Sequence, residues 1–317
     1  MALAVLTGCA ANTKEAAAPA AAANKEQSLQ EVTLLSPKAP SLIPALLAET
    51  KQDSGISLKV ETWDTIEQLL ARVQSPDALF IAAPLNVGAN MAAKGLPLQL
   101  IHVNTWGSMY LVTMDPGTAS LADLANETVH IPGQSGPPEI ITKFVLKENS
   151  LDAKVKLAYG TVPDIVQQLA AGTIKHAVLP EPVLSGLRLQ QQGRVKEVAD
   201  FQQVWRTMYG QDLPQTGIFV NRKWAQAHPN EIARFQELYR SALQETVRQP
   251  DAALKQAAGA FGIPEAVLAE AMPKISLIFK DAREARPEVE RYFNILLQAA
   301  PDSIGGALPD DGFYYGS

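Results

Sequence analysis

The strongest constraint on this chain is an alternation of strand-type and helix-type segments that runs twice before giving way to helix. Residues 31–36 read as a strand, 42–49 as a helix begun at a Ser/Pro turn, and 56–62 as a half-buried strand of period two. Residues 64–73 read as a helix capped by Asp64 or Thr65, with Ile66, Leu69, Leu70 and Val73 on one face. Residues 78–83 form a short apolar strand, 87–93 a helix stopped at Gly95, and 98–103 a further strand. After a strand at 109–113 and the turn Asp115-Pro116-Gly117, the pattern restarts. Helices are expected at 120–124, 139–148 and 164–171, and strands at 128–131, 155–159 and 174–179. A return strand follows at 216–221, and 224–299 reads as nearly all helix. Short loops between alternating elements imply parallel sheets covered on both faces. The layout is therefore an α/β lobe of two chain segments, 31–113 and 216–317, with a second lobe, 114–215, inserted between them.

What precedes residue 31 is of another kind. The single cysteine, Cys9, ends the run Leu3-Ala4-Val5-Leu6-Thr7-Gly8, and small residues before a cysteine after an apolar stretch suit a lipoprotein signal peptidase. Residues 1–8 then read as a partial signal, short of the usual basic start because no Lys or Arg precedes Lys14, as a start codon set too far downstream would leave it. The alternative is a stray apolar terminus. Residues 9–30, rich in alanine and without a large apolar side chain before Leu29, have nothing to bury and suit a tether. A lone cysteine excludes an internal disulfide. Thirty-three acidic against 27 basic residues give a net charge of −6, which argues against nucleic acid as a partner.

In open α/β sheets, ligands meet the carboxyl ends of strands, where helix N-termini present free N–H groups. The loop Gly133-Gln134-Ser135-Gly136 lets backbone approach a ligand in front of a helix, or it is simply a glycine turn. Ser36, Lys38 and Ser41 offer two hydroxyls and a cation to an anion, unless Lys38 is only solvated. Pro84, Asn86 and Pro163 lie in further strand-end loops. Trp63 and Trp106 are candidate faces for an apolar or aromatic ligand, against the commoner fate of a core tryptophan. Glu181, between two prolines after a buried strand, accepts hydrogen bonds from either a ligand or a hinge. Enzymatic motifs are missing: the four histidines, 102, 130, 176 and 228, are scattered, and no nucleophile elbow, phosphate loop or paired-cysteine metal motif occurs.

Several stretches resemble one family. The sequence 76–84 (PDALFIAAP) with Gly95-Leu96-Pro97-Leu98, Trp106-Gly107-Ser108-Met109-Tyr110-Leu111-Val112, 121–129 (LADLANETV), 172–182 (GTIKHAVLPEP) and the tail 304–315 (IGGALPDDGFYY) are similar, in order and spacing, to the solute-binding lipoproteins of ABC importers. The likeness is to their nitrate/sulfonate/taurine and thiamine-precursor-like (NMT1/THI5-like) branch. Asn126-Glu127 replace a usual Gly-Lys, and His176 stands where Asp is frequent. The resemblance implies a periplasmic-binding-protein-like type II fold, two doubly wound α/β lobes joined by two crossover strands. It also implies a small-molecule ligand in the interlobe cleft, ABC permease subunits as partners, no cofactor or metal, no enzymatic activity, and a cell-envelope location anchored through lipidated Cys9. A small organic anion, sulfonate- or carboxylate-like, is the expected solute. The alternatives are a neutral heterocycle such as a pyrimidine precursor, an enzyme on the same fold, or a sensory lobe pair without transport.

Overall fold

The first alternation builds β1 (Gln30–Pro37), α1 (Leu42–Glu49), β2 (Ile56–Trp63), α2 (Ile66–Val73), β3 (Phe80–Pro84), α3 (Leu85–Ala93) and β4 (Leu98–Trp106). The second gives β5 (Met109–Thr113), β6 (Thr128–Pro132), α4 (Pro137–Glu148), β7 (Lys156–Gly160), α5 (Val162–Ala171), β8 (His176–Pro180), α6 (Val183–Gln190), β9 (Lys196–Asp200) and α7 (Phe201–Tyr209). The chain then returns through β10 (Pro214–Asn221), α8 (Arg222–Ala227), α9 (Pro229–Arg248), α10 (Asp251–Phe261), α11 (Glu265–Ala271), β11 (Ser276–Asp281) and α12 (Ala282–Ala299). The computed structural model describes residues 1–2, 30–51, 55–73, 80–134 and 136–316. Cys9, the 9–30 segment as far as Leu29 and Ser135 lie outside them.

Two sheets result, in the orders β11-β4-β10-β3-β1-β2 and β7-β6-β8-β5-β9. Both are mixed rather than parallel. In the first, β1 runs parallel to β2 and β3, while β10 is antiparallel to β3 and β4. In the second, β6 runs parallel to β7 and β8, while β5 is antiparallel to β8 and β9. In each sheet the strand that has just crossed from the other runs against its neighbours, and in the first sheet β11 does so as well. Residues 109–113, grouped by sequence with the first lobe, therefore belong to the second sheet. Side-chain periodicity reports which face is buried and is blind to strand direction and to partner choice.

Local chemistry explains most boundaries. Thr161 caps α5 by accepting from Asp164 N, and Gly172 ends it at φ 72°. Asp200 and Asp281 cap α7 and α12 in the same way. Two expectations fail. Residues 224–299 are interrupted by β11, an edge strand that pairs with β4 through a register shift. On α2 only Leu69 is buried, and Ile66 and Leu70 are each 37% exposed.

Helices α1, α9 and α10 cover one face of the first sheet. Helices α5 and α6 cover one face of the second. A third cluster is continuous from Leu98 and Leu100 through Tyr292, Trp205 and Phe201 to Val129 and Ile131, so apolar packing joins the two sheets. Residues 311–315 close the first sheet's end: Phe313 and Tyr314 are buried, and Tyr315 N donates to Leu100 O at 2.9 Å.

Gly88 in α3 sits against the ring of Phe219, whose Cζ would lie 2.1 Å from an added Cβ. Gly88→Ala is expected to cost about 1–3 kcal/mol through overpacking, exceeding the ~1 kcal/mol helix-propensity gain, and a lowered urea midpoint at unchanged slope checks it. His102 is fully buried beside Phe279, Tyr239 and Phe235, and both ring nitrogens lack a hydrogen-bond partner. Burial, then Arg240, pushes its pKa down from 6.5 to about 3. The native state then binds fewer protons than the unfolded chain across that window, so stability falls as pH drops from 6.5 toward 3. His102→Leu is expected to flatten this acid loss, read from urea midpoints between pH 6.5 and 4.

Candidate functional site

The chain passes between the sheets twice, at residues 107–108 and 210–213, and the two passages are pinned together. Gly107 N donates to Leu213 O at 2.9 Å, and Leu213 N donates to Gln202 Oε1 at 2.7 Å. Gly107 has φ +63°, and a Cβ there would fall 2.6 Å from Gln202 Cβ, so only glycine lets the passage lie this close to α7. Ser108, at φ 97°, donates its hydroxyl to Gln215 Oε1 at 3.0 Å and accepts Glu181 N at 3.0 Å through its carbonyl.

In front of this hinge lies a crevice of about 210 Å³. Its walls are Pro40 after β1, Pro84 at the end of β3, Pro137, Pro138 and Ile141 of α4, and Pro180 at the end of β8, with Tyr292 of α12 behind. Thr105, Ser108, Gln215 and Thr216 supply its polar lining. A second cavity, of about 690 Å³, opens beside α2, α3 and the start of α4, with Ile66, Leu70, Asn86, Gln134, Glu139 and Lys143 on its walls. Glu139 is buried there, its Oε1 accepting Tyr159 OH at 2.6 Å and lying 2.5 Å from Lys143 Nζ.

The residues singled out from sequence part company here. Pro84 lines the crevice and caps α3; Asn86 and Gln134 line the larger cavity. Asn86 is 5% exposed and its Oδ1 has no partner. Ser41, 1% exposed at the start of α1, accepts Tyr239 OH at 2.8 Å through its carbonyl, while its own hydroxyl is unpartnered. Ser36 is buried with its hydroxyl on Pro37 O at 3.2 Å, and Lys38 points to solvent, its Nζ 3.7 Å from Asp64. Ser36, Ser41 and Lys38 therefore do not converge. Trp63 is buried core at the end of β2. Trp106 is core as well, its Nε1 donating to Ile278 O at 2.8 Å with Lys280 Nζ 4.5 Å from its ring centroid. Gly133 (φ +76°) donates its N–H to Gly160 O at 3.1 Å, Gly136 precedes α4, and Pro163 is exposed in the first turn of α5. None of these last three lines either cavity. Sequence reasoning missed Gln215 and Tyr292, because no local pattern marks which residue of a core strand or tail helix faces a crevice, and it reached Thr105 and Ser108 only as part of the strand-end loop 104–108. Pro137 and Pro138 did carry a signal, a Pro-Pro pair opening a helix.

Glu181 sits beside the hinge. Besides its backbone bond to Ser108, its Oε2 accepts Ser185 N at 3.0 Å, it is 1% exposed, and it lines neither cavity. Burial pushes its carboxyl above 4.5, opposed by Ser185, Lys274 and Arg188. With a raised native pKa, the native state holds its proton longer than the unfolded chain, so this group's contribution to stability declines as pH rises above 4.5. Glu181→Gln is expected to remove the decline, so that the melting temperature of the variant gains on the wild type between pH 4.5 and 7.5. An unchanged difference across that range would show the carboxyl to be indifferent to folding.

The chain is similar in fold to an ABC transporter protein from Parabacteroides distasonis, at 22% identity over 90% of this chain and 98% of that one, with a TM-score of 0.76. It is similar to the periplasmic aliphatic sulphonate-binding protein SsuA from Escherichia coli, at 16% identity over 88% and 96% of the two chains, with a TM-score of 0.70. The periplasmic nitrate-binding protein NrtA from Synechocystis PCC 6803 matches at 10% identity over 87% and 84%, with a TM-score of 0.66. No curated protein sequence matches. The fold is thus that of the type II periplasmic binding proteins, as the strand orders and double crossing require. The NMT1/THI5-like family model matches residues 40–253, which takes in the crevice walls from Pro40 to Thr216, and the chain belongs to that family.

Proposed function

We propose that this protein is the extracytoplasmic solute-binding component of an ABC importer: it captures a small solute between two lobes and delivers it to permease subunits without chemical change. The crevice in front of the double chain crossing carries this reading, because the two walls belong to different sheets and can close on a solute by a hinge rotation. The lobes are the two sheets with their helices, residues 30–106 with 214–316 and residues 109–209. Family membership and the importer proteins sharing the fold support the same role. Among the described residues no three or more His, Cys, Asp or Glu gather into a metal-holding group, and no helix is long and apolar enough to cross a membrane. Attachment would fall to a lipid on Cys9.

Two outcomes test this. A thermal-shift screen over sulfonates, carboxylates, nitrate and pyrimidines is expected to find a solute that raises the melting temperature, since a ligand at a hundredfold its Kd stabilises by about 2.7 kcal/mol. If no solute does so, the capture reading fails. Replacing Cys9 by Ala is expected to abolish labelling by radioactive palmitate and to release the protein from membranes of its native host.

A further inference from the structure

Resting on that solute-binding reading, we infer that the solute held in the crevice is uncharged, a compact molecule with an apolar body and one or two hydrogen-bonding groups. Among the described residues no charged side chain lines the crevice. Backbone makes up only part of the lack. The helix starts that face it lose N–H groups to proline: the N-cap of α3 is Pro84, and α4 opens on Pro137 and Pro138. On α1, Leu42 N and Ile43 N are already taken by Ala39 O and Pro40 O at 2.8 and 3.2 Å, and the next residue is Pro44. The near cations are engaged elsewhere, Lys38 toward solvent and Asp64, Lys143 on Glu139. An anion moved from water into this site would forfeit several kcal/mol of hydration with no charged side chain in the lining to replace it. Uncharged groups, by contrast, meet the hydroxyls and amide of Thr105, Ser108, Gln215 and Thr216 in the lining. The volume of about 210 Å³ falls below the ~300–1,000 Å³ of sites for drug-sized ligands, so the molecule is small.

The test uses matched pairs of one shape and two charges: benzenesulfonamide and benzenesulfonate, nicotinamide and nicotinate, uracil and orotate. Calorimetric titration of the full chain is expected to give at least tenfold tighter binding of the uncharged member in any pair that binds, with less than twofold change in Kd between 20 and 500 mM NaCl. Sulphonate and nitrate, the solutes in the names of relatives of the same fold, make the anion the competing outcome. Equal or tighter binding of a charged member overturns the uncharged class and leaves the solute-binding reading standing. Binding by no member of any pair overturns both. Pro138→Arg, at the half-buried lip of the crevice, restores an N–H to α4 and adds a cation. It is expected to tighten benzenesulfonate binding at least tenfold, and no gain would show that the crevice is not where the solute lies.

Discussion

Everything about this molecule turns on the hydrogen bond from Gly107 N to Leu213 O. It joins the two places where the chain passes between sheets, and a molecule crossing twice side by side has a hinge rather than a tether. Gln202 seals the pair from the α7 side, and Ser108 carries it outward to Gln215 and Glu181. Two adjacent crossings of this kind are the geometry of a hinge, about which one lobe can rotate against the other. Glu181 matters here as a positioning residue. Its backbone holds the crossover and its carboxylate holds the start of α6, so strand β8 and the crossing move together.

The apolar cluster running through Tyr292, Trp205 and Phe201 gives the hinge its resting posture. Trp205 and Tyr292 meet with centroids 6.2 Å apart, one from each side of the divide. Opening the cleft trades that contact for water, at roughly 25 cal/mol for each Å² uncovered. The crevice is thus framed by that contact and by the proline-bearing starts of α3 and α4.

Much of this was legible in the sequence, and what was not follows a physical rule. Positions with a strong local signature emerged nearly intact: α1 at 42–49, the buried strands, the caps and the glycine stops. Strand direction did not, because β5 and β10 look like any apolar strand and only the distant partner decides how they pair. The tryptophans and the trio Ser36, Lys38 and Ser41 were read by residue type, and residue type is silent on facing. Trp106 donates into β11, a strand hidden inside a helical run, so its role as core depended on an element that periodicity had not revealed. Helical spacing likewise promised α2 a buried face, yet Ile66 and Leu70 look into the larger cavity.

The placement of residues 311–315 bears on how the protein comes into being. Phe313 and Tyr314 are plugs in the first sheet's core, and β10 and β11 are strands of that same sheet. Its first-made strands therefore wait, with edges unsatisfied, until nearly the whole polypeptide has been synthesised. The first lobe therefore cannot reach its native structure early during elongation, as the second, built from the contiguous residues 109–209, can.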